Sequence, residues 1–295
     1  MLDDALRAKL LCWAQGFDEA IWLDSNQYDQ RHTSFQAILA VDAFTAIKTD
    51  SFEAFKKLHE YQQQSRDWLF GYLSYDLKND TEELSSNNFD GLQFPELFFF
   101  QPKRMFVFSE NKVELRYLNL ISDEMEQDWQ EILDCPVTGL PAAEGSSVRI
   151  RLRTTKDQYF NKIAEMLQHI ERGDIYEANF CQEFYSEDTR IDPVKTFLHL
   201  NEISKPPFAS FLRMHDLFAI SASPERYLKR KGTKVISQPI KGTAKRLSDP
   251  SEDRKMVRSL EKDPKERSEN IMITDLVRND LSRFAIKGSV EVEEL

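Results

Sequence analysis

The strand candidates of this chain follow one another in blocks, and this order constrains the fold more than any other feature. Four apolar stretches, WLFGYLSYDL, ELFFF, RMFVF and KVELRYL, occur between residues 68 and 118 with no helical pattern among them. Three more, FASFLRM, LFAIS and KVIS, follow between residues 208 and 237. Strands that are joined directly pair antiparallel, whereas regular alternation with helices would favour a parallel sheet. The order therefore predicts an α+β fold with largely antiparallel sheets flanked by helices.

One segment has the composition of a linker. PVTGLPAAEGSS is the only long stretch that is rich in Pro, Gly, Ala and Ser. Beyond it, VRIRLR and later IYEANFCQEFY alternate in polarity and predict strands, and between them Thr155 and Gln158 have the spacing of a capping box. Gly173 is placed to end that helix. We therefore expect an N-terminal subdomain at 1–135, a linker at 136–147 and a second domain at 148–295.

The balance of charge limits the partners of the chain. Its 295 residues carry a formal net charge of −11, which argues against binding of nucleic acid because that requires clustered Lys and Arg. No apolar run approaches the length of a membrane-spanning helix, and the start MLDDALRAKLLCWAQGF lacks the basic region of a signal peptide. Cys12, Cys135 and Cys181 have neither disulfide nor zinc-binding spacing. We expect a cytoplasmic protein with no membrane contact.

A lysine interrupts an apolar and Gly-Thr stretch in QPIKGTAKR. Pro239 has no backbone N–H and is expected to end the strand KVISQ, while Gly242 permits a sharp bend, so Lys241 should lie at a strand end. A lysine acts as a nucleophile only when it is neutral, which burial or neighbouring cations such as Lys245 and Arg246 favour by lowering its pKa. From these residues alone, Lys241 is either a structural or anion-binding lysine, or a nucleophile.

Acidic residues lie on both sides of this lysine in the sequence. Glu225 follows Ser-Pro between two strand candidates, in SASPERYL. Downstream, Asp263 and Pro264 predict the start of a helix, in which Glu266 either completes a capping box or serves a site. Glu269 is three residues further along, on the same helical face, so the two carboxylates either hold a hard divalent ion or simply face solvent.

Four motifs, taken together, resemble the chorismate-utilising enzyme family in order and spacing. They are GDIYEANFCQEF at 173–184, SPERYL at 223–228, PIKGTAKR at 239–246 and KERSENIMITDLVRNDLSR at 265–283. The resemblance is looser before residue 136, where WLDSNQY and GYLSYDL are similar to an N-terminal subdomain that holds tryptophan in some relatives. It implies two packed, largely antiparallel sheets flanked by helices, and chemistry on chorismate with Mg2+.

The lysine indicates one branch of that family. Members that aminate chorismate at C4, the aminodeoxychorismate synthases, have PIKGT, whereas anthranilate synthases typically have PIAGT. The resemblance implies that Lys241 is the nucleophile that adds to C2 of chorismate, and that Glu225 is the general acid for the departing C4 hydroxyl. By the same resemblance, the substrate contacts are Gly242 and Thr243, and the Mg2+ ligands are Glu266 and Glu269.

The resemblance also implies a partner. Amination requires ammonia, and the chain has no Cys-centred amidotransferase motif of its own, so a separate glutaminase that releases ammonia from glutamine is expected. Isochorismate-forming relatives carry a lysine where this chain has Glu177, which disfavours their chemistry. Anthranilate synthesis is the nearest alternative, and the identity of the product separates the two.

The C-terminal end differs from the family pattern. Relatives normally continue well past the helix that contains DLVRND, and that part carries further residues for substrate and Mg2+, whereas this sequence stops at GSVEVEEL. We therefore expect a fragment that is truncated at the C-terminus. A non-catalytic chain that only binds a glutaminase or a small ligand is the alternative.

Overall fold

The computed structural model describes residues 2–28, 31–110, 112–136 and 148–295. Its helices are α1 (Asp4–Trp13), α2 (Ala54–Ser65), α3 (Met125–Asp134), α4 (Lys156–Arg172), α5 (Pro193–Ser204), α6 (Pro250–Lys262) and α7 (Pro264–Ser282). Its strands are β1 (Glu19–Asp24), β2 (Ala37–Thr49), β3 (Phe70–Leu73), β4 (Leu97–Ser109), β5 (Lys112–Tyr117), β6 (Arg151–Leu152), β7 (Phe184–Tyr185), β8 (Phe208–Met214), β9 (Leu217–Ser223), β10 (Arg226–Lys231) and β11 (Lys234–Gln238). None of the helices among these residues is long and apolar enough to cross a membrane.

The contacts within the chain form two compact units. The first consists of Met1–Cys135 and Phe197–Leu295, and the second of Pro136–Thr196. The first unit therefore includes strands from both sides of the predicted linker. Apart from Pro136, the linker lies outside the described residues, and the division into domains at 136–147 stays a prediction.

An antiparallel sheet of seven strands dominates the first unit. Six of its strands lie in the order β3-β4-β2-β1-β8-β9, and β5 pairs with the second half of β4. Strand β1 is central, so that Ile21 pairs with Ala40 of β2 on one side and with Leu212 of β8 on the other. The predicted α+β class with antiparallel sheets is confirmed.

The side chains of β4 show how the sheet is buried on both faces. Met105 and Val107 belong to an apolar cluster, together with residues from β1, β2, β3 and β8. Phe106 points to the opposite face because side chains alternate along a strand. There its ring lies 5.6 Å from that of Trp13 in α1 and 6.3 Å from that of Trp129 in α3. These two helices therefore cover this face of β4.

Strand β4 joins two stretches, ELFFF and RMFVF, that the sequence pattern separates. The residues between them include Pro102, which has no N–H to donate to a ladder. The register of β2 against β4 shifts at this point, where Ala43 pairs with Pro102 and Thr45 pairs with Gln101. A bulge on β2 thus accommodates the proline, and one strand continues through both stretches.

The second unit has less strand than its alternating sequences predict. Of VRIRLR and IYEANFCQEFY, only Arg151–Leu152 and Phe184–Tyr185 form strand, and they pair with each other. Most of residues 175–183 are exposed, so this stretch lacks the buried face that stabilises a strand. The predicted capping box of Thr155 is confirmed, as is the left-handed end of α4 at Gly173.

Candidate functional site

The hairpin of β10 and β11 brings two predicted site residues to the same place. Arg226 pairs with Gln238 at the open end of the hairpin, and the Arg226 Nε donates to Gln238 Oε1 at 2.8 Å. Glu225 immediately precedes this pair in the chain, and Lys241 follows it by three residues. Residues 16 positions apart in sequence therefore emerge from one end of the hairpin. The predicted strand end before Lys241 is confirmed, because β11 ends at Gln238.

The turn that follows is built around a glycine. Gly242 has φ +80°, in the left-handed region that side chains with a Cβ adopt only at a cost. A Cβ at this position would collide with a carboxylate oxygen of Glu266 and would lie 3.2 Å from its Cδ. Lys241 and Gly242 are half-buried, whereas Thr243 is exposed. The turn and the carboxylate of Glu266 are therefore in close contact, which the order of the motifs in the sequence does not reveal.

Helix α7 presents that carboxylate. Asp263 caps the helix by accepting from the backbone N–H groups of Lys265 at 2.9 Å and of Glu266 at 3.1 Å. The side chain of Glu266 itself reaches the Gly242 turn. One turn further along α7, the half-buried Glu269 has an oxygen 3.7 Å from Lys265 Nζ. Both carboxylates therefore lie on one face of α7, as their spacing predicts.

The two glutamates fit the ligand preferences of Mg2+. This ion takes oxygen ligands and is commonly held by one or two carboxylates, with water and substrate completing the shell. Glu266 and Glu269 supply two half-buried carboxylates on α7, and that of Glu266 lies next to the Gly242 turn. Within the described part of the chain, no cluster of three or more His, Cys, Asp or Glu side chains has metal-binding geometry. The predicted role of this pair stays a prediction.

A second acid, Asp253, binds the chain just after the Gly242 turn, at Arg246 and Leu247. Asp253, in the first turns of α6, accepts from Arg246 Nε at 3.0 Å, from Arg246 Nη2 at 2.7 Å and from the backbone N–H of Leu247 at 2.9 Å. The hydrogen bond from Arg246, and next that from Leu247, lowers the pKa of Asp253. This ion pair partly compensates the charge of Arg246, which is one of the two cations that follow Lys241 closely in the sequence.

Glu225 has a simpler setting. Its backbone N–H donates to Ser223 Oγ at 3.2 Å, and its side chain is exposed at the end of the hairpin. An exposed carboxyl there is open to a substrate that approaches the Lys241 turn. Its predicted role as a general acid is not tested by this geometry.

Comparison with known proteins identifies the family of the chain. The chain matches the chorismate binding enzyme family over residues 18–295. An anthranilate synthase component I-like protein of Synechocystis sp. is 31% identical over 81% of this chain and 49% of its own length. Aminodeoxychorismate synthase component 1 of Escherichia coli is 40% identical over 48% of this chain and 31% of its own length. The chain thus spans about half the length, or less, of these relatives.

The fold is also shared with a solved structure. The crystal structure of anthranilate synthase component I from Streptococcus pneumoniae superposes with a TM-score of 0.71 and covers 91% of this chain and 68% of its own, at 20% sequence identity. At this identity the likeness concerns the fold alone. The family match, by contrast, extends over nearly the whole sequence and includes every predicted site residue. The chain therefore belongs to the chorismate binding enzyme family.

Proposed function

We propose that this chain is part of an aminodeoxychorismate synthase component I, which converts chorismate and ammonia into 4-amino-4-deoxychorismate. The observation that carries the proposal is the position of Lys241. It stands in a PIKGT turn at the end of the β10–β11 hairpin, beside a glycine that contacts Glu266 of α7. In the family pattern, a lysine between PI and GT accompanies amination at C4, and an alanine there accompanies anthranilate synthesis.

Lys241 acts first, as the nucleophile. Its neutral amine attacks C2 of chorismate, the two conjugated ring double bonds shift from C1=C2 and C5=C6 to C1=C6 and C4=C5, and the bond from C4 to its hydroxyl oxygen breaks. Hydroxide is a poor leaving group, so Glu225 gives a proton to the departing oxygen, which leaves as water. The lysine nitrogen loses a proton and stays bonded to C2. Glu225 suits this role because it emerges from the same end of the hairpin as Lys241.

Ammonia completes the reaction. It attacks C4, both ring double bonds shift back to C1=C2 and C5=C6, and the bond between the lysine nitrogen and C2 breaks. The amine of Lys241 regains a proton, so the side chain ends the cycle unchanged. Ammonia comes from a separate glutaminase subunit, a partner that fits the words "component 1" in the names of the similar synthases.

Glu266 and Glu269 bind Mg2+ in this scheme. The ion supplies positive charge that binds a carboxylate of the substrate. The residues of the chain fix where that charge lies, because Glu266 is in contact with Gly242, the residue next to the nucleophile. Gly242 and Thr243 contact the substrate along the turn. The active site therefore depends on the fit between the turn and α7.

The product decides between this proposal and its nearest rival. Incubation of the protein with chorismate, Mg2+ and ammonium, followed by chromatography, should give the 4-amino product. Anthranilate synthesis is the second candidate, favoured by the Synechocystis relative that matches most of this chain. Anthranilate or isochorismate as the main product would overturn the proposal.

The role of the lysine has its own test. Lys241→Ala should reduce formation of the 4-amino product by a factor of about 100 or more, because it removes a covalent nucleophile. Lys231→Ala, at the exposed far end of the same hairpin, is the matched control and should leave the rate unchanged. An unimpaired Lys241→Ala enzyme would remove this residue from the mechanism.

A chain that only binds is separated from an enzyme by calorimetry. The proposed site requires chorismate to bind in a way that depends on Mg2+. If this chain binds chorismate in the presence of Mg2+ but forms no product, these residues form a binding protein and not a complete enzyme. If this chain binds neither chorismate nor Mg2+, the site described here is insufficient for binding the substrate.

A further inference from the structure

Both carboxylate oxygens of Asp253, in the first turn of α6, accept hydrogen bonds from the preceding segment. Both of its oxygens accept from Arg246 Nε at 3.0 Å, one accepts from Arg246 Nη2 at 2.7 Å, and the other accepts from the backbone N–H of Leu247 at 2.9 Å. The side chain of Asp253 is 13% exposed, while that of Arg246 is 82% exposed. Asp253 is therefore held within the surface of the protein, whereas most of the Arg246 side chain is exposed to solvent.

This contact holds a segment that has no regular structure of its own. Residues 239–249 lie between the end of β11 and the start of α6 and include the whole PIKGT turn. Gly242 lies against Glu266 at one end of the segment, and Arg246 and Leu247 are bound by Asp253 at the other. Only three residues separate Gly242 from Arg246, so the two contacts leave the turn little freedom to shift along α7.

We propose that Asp253 is a positioning residue for Lys241. It touches no reacting atom, but by binding Arg246 and Leu247 it fixes the turn from which the lysine extends. The inference rests on the proposed function, because it gives Lys241 the task of reaching C2 of the substrate. A displacement of about 1 Å of a reacting group costs a factor of about 100 in rate, so a segment without helix or strand needs such an anchor.

The anchor itself is tested without any assay of activity. Hydrogen exchange measured by mass spectrometry on peptides that cover residues 242–250 should be about tenfold faster in Asp253→Asn, because a charge-assisted hydrogen-bond set is weakened. Glu252→Gln removes one negative charge from the neighbouring residue, whose partner is Lys255, and should leave the exchange unchanged. Equal exchange in the wild type and Asp253→Asn would overturn the proposal.

A second variant guards against misfolding of the first. Arg246→Gln removes the exposed partner and leaves the acid and α6 intact, so a stable fold is expected together with faster exchange over the same peptides. Asp253→Glu, which keeps the charge, should restore part of the protection that Asp253→Asn loses. If Arg246→Gln folds and exchanges like the wild type, the ion pair does not hold the turn.

Kinetics then distinguish positioning from a purely structural role. In Asp253→Asn, kcat for the 4-amino product should fall by a factor of about 100, while KM changes by less than about threefold, because the nucleophile and not the substrate is displaced. Faster exchange with an unchanged kcat would overturn the positioning role. If the wild type forms no 4-amino product, the proposed function fails, and the exchange experiment still decides whether Asp253 anchors the turn.

Discussion

At the scale of single residues, Gly242 has two separate reasons to be a glycine. Its φ of +80° excludes most side chains, and the carboxylate of Glu266 occupies the space that a Cβ would take. The motif PIKGT marks this glycine in the sequence, but the sequence does not show which residue lies against it. That contact joins residues 24 positions apart, and only the packing of the turn on α7 produces it.

Gly242→Ala separates these two reasons when it is compared with Gly232→Ala. Gly232 also has a positive φ, +61°, but open space where its Cβ would be. Both changes should lower the free energy of unfolding by about 1 kcal/mol through the backbone alone. Only Gly242→Ala must displace the carboxylate of Glu266, so only it should weaken the Mg2+-dependent binding of chorismate measured by calorimetry. Equal binding by the two variants would contradict the role given to this contact.

Cys135 is a residue whose environment the sequence does not show. The spacing of the three cysteines in the sequence does not indicate that any two are neighbours. In the structure, the end of α3 brings Cys135 next to Cys12 of α1. The two helices are held together there by a hydrogen bond of 3.2 Å from Trp13 Nε1 to Glu131 Oε2. Burial, and next the neighbouring thiol of Cys12, raises the pKa of Cys135 to about 11.

The reactivity of this thiol should follow that pKa. Only the thiolate reacts with iodoacetamide, so alkylation of Cys135 should be slow at pH 8 and rise as the pH approaches 11. Cys12→Ser removes one of the groups that raise the pKa and should move the onset of alkylation to lower pH. Mass spectrometry of the alkylated peptides measures both, with the exposed Cys181 as an internal reference. Rapid alkylation of Cys135 at pH 8 would contradict the environment described here.

At the scale of elements, apolar strand patterns predicted the sheet well where a buried partner exists. The stretches in β3, β4, β8 and β9 are strands because each lies between or beside others in the seven-stranded sheet. The alternating IYEANFCQEFY has the same kind of pattern, but forms only two residues of strand. Alternating polarity predicts which residues would share one face of a strand. The strand itself forms only when a neighbouring strand pairs with it through hydrogen bonds.

Phe106 tests how strongly the helices α1 and α3 are tied to β4. The residue is completely buried and lies between Trp13 and Trp129. Phe106→Ala should lower the free energy of unfolding by about 3–5 kcal/mol, because it removes a large buried ring and leaves a cavity. Phe52→Ala, at a ring that is 70% exposed, should change it by less than about 0.5 kcal/mol. Urea unfolding measures both, and similar values for the two would contradict the packing.

At the scale of the whole molecule, the sequence order hides how the candidate site is built. Every candidate site residue lies between Glu225 and Glu269, within the first compact unit, and the resemblance of the motifs predicts each of them. What the sequence could not provide is the set of contacts between motifs: the shared end of the hairpin, Gly242 against Glu266, and Arg246 on Asp253. These depend on how the irregular segment 239–249 lies across α6 and α7, and no local pattern encodes that path.

If Lys241 bonds to the substrate as proposed, a covalent adduct should be detectable on this residue. The protein is mixed with chorismate and Mg2+ in the absence of ammonia, quenched, and digested for mass spectrometry. We expect a peptide containing Lys241 that is heavier by the mass of chorismate minus one water. This peptide should be absent from Lys241→Ala and should disappear when ammonia is added before the quench. Formation of the 4-amino product with no adduct, or with an adduct on another residue, would contradict it.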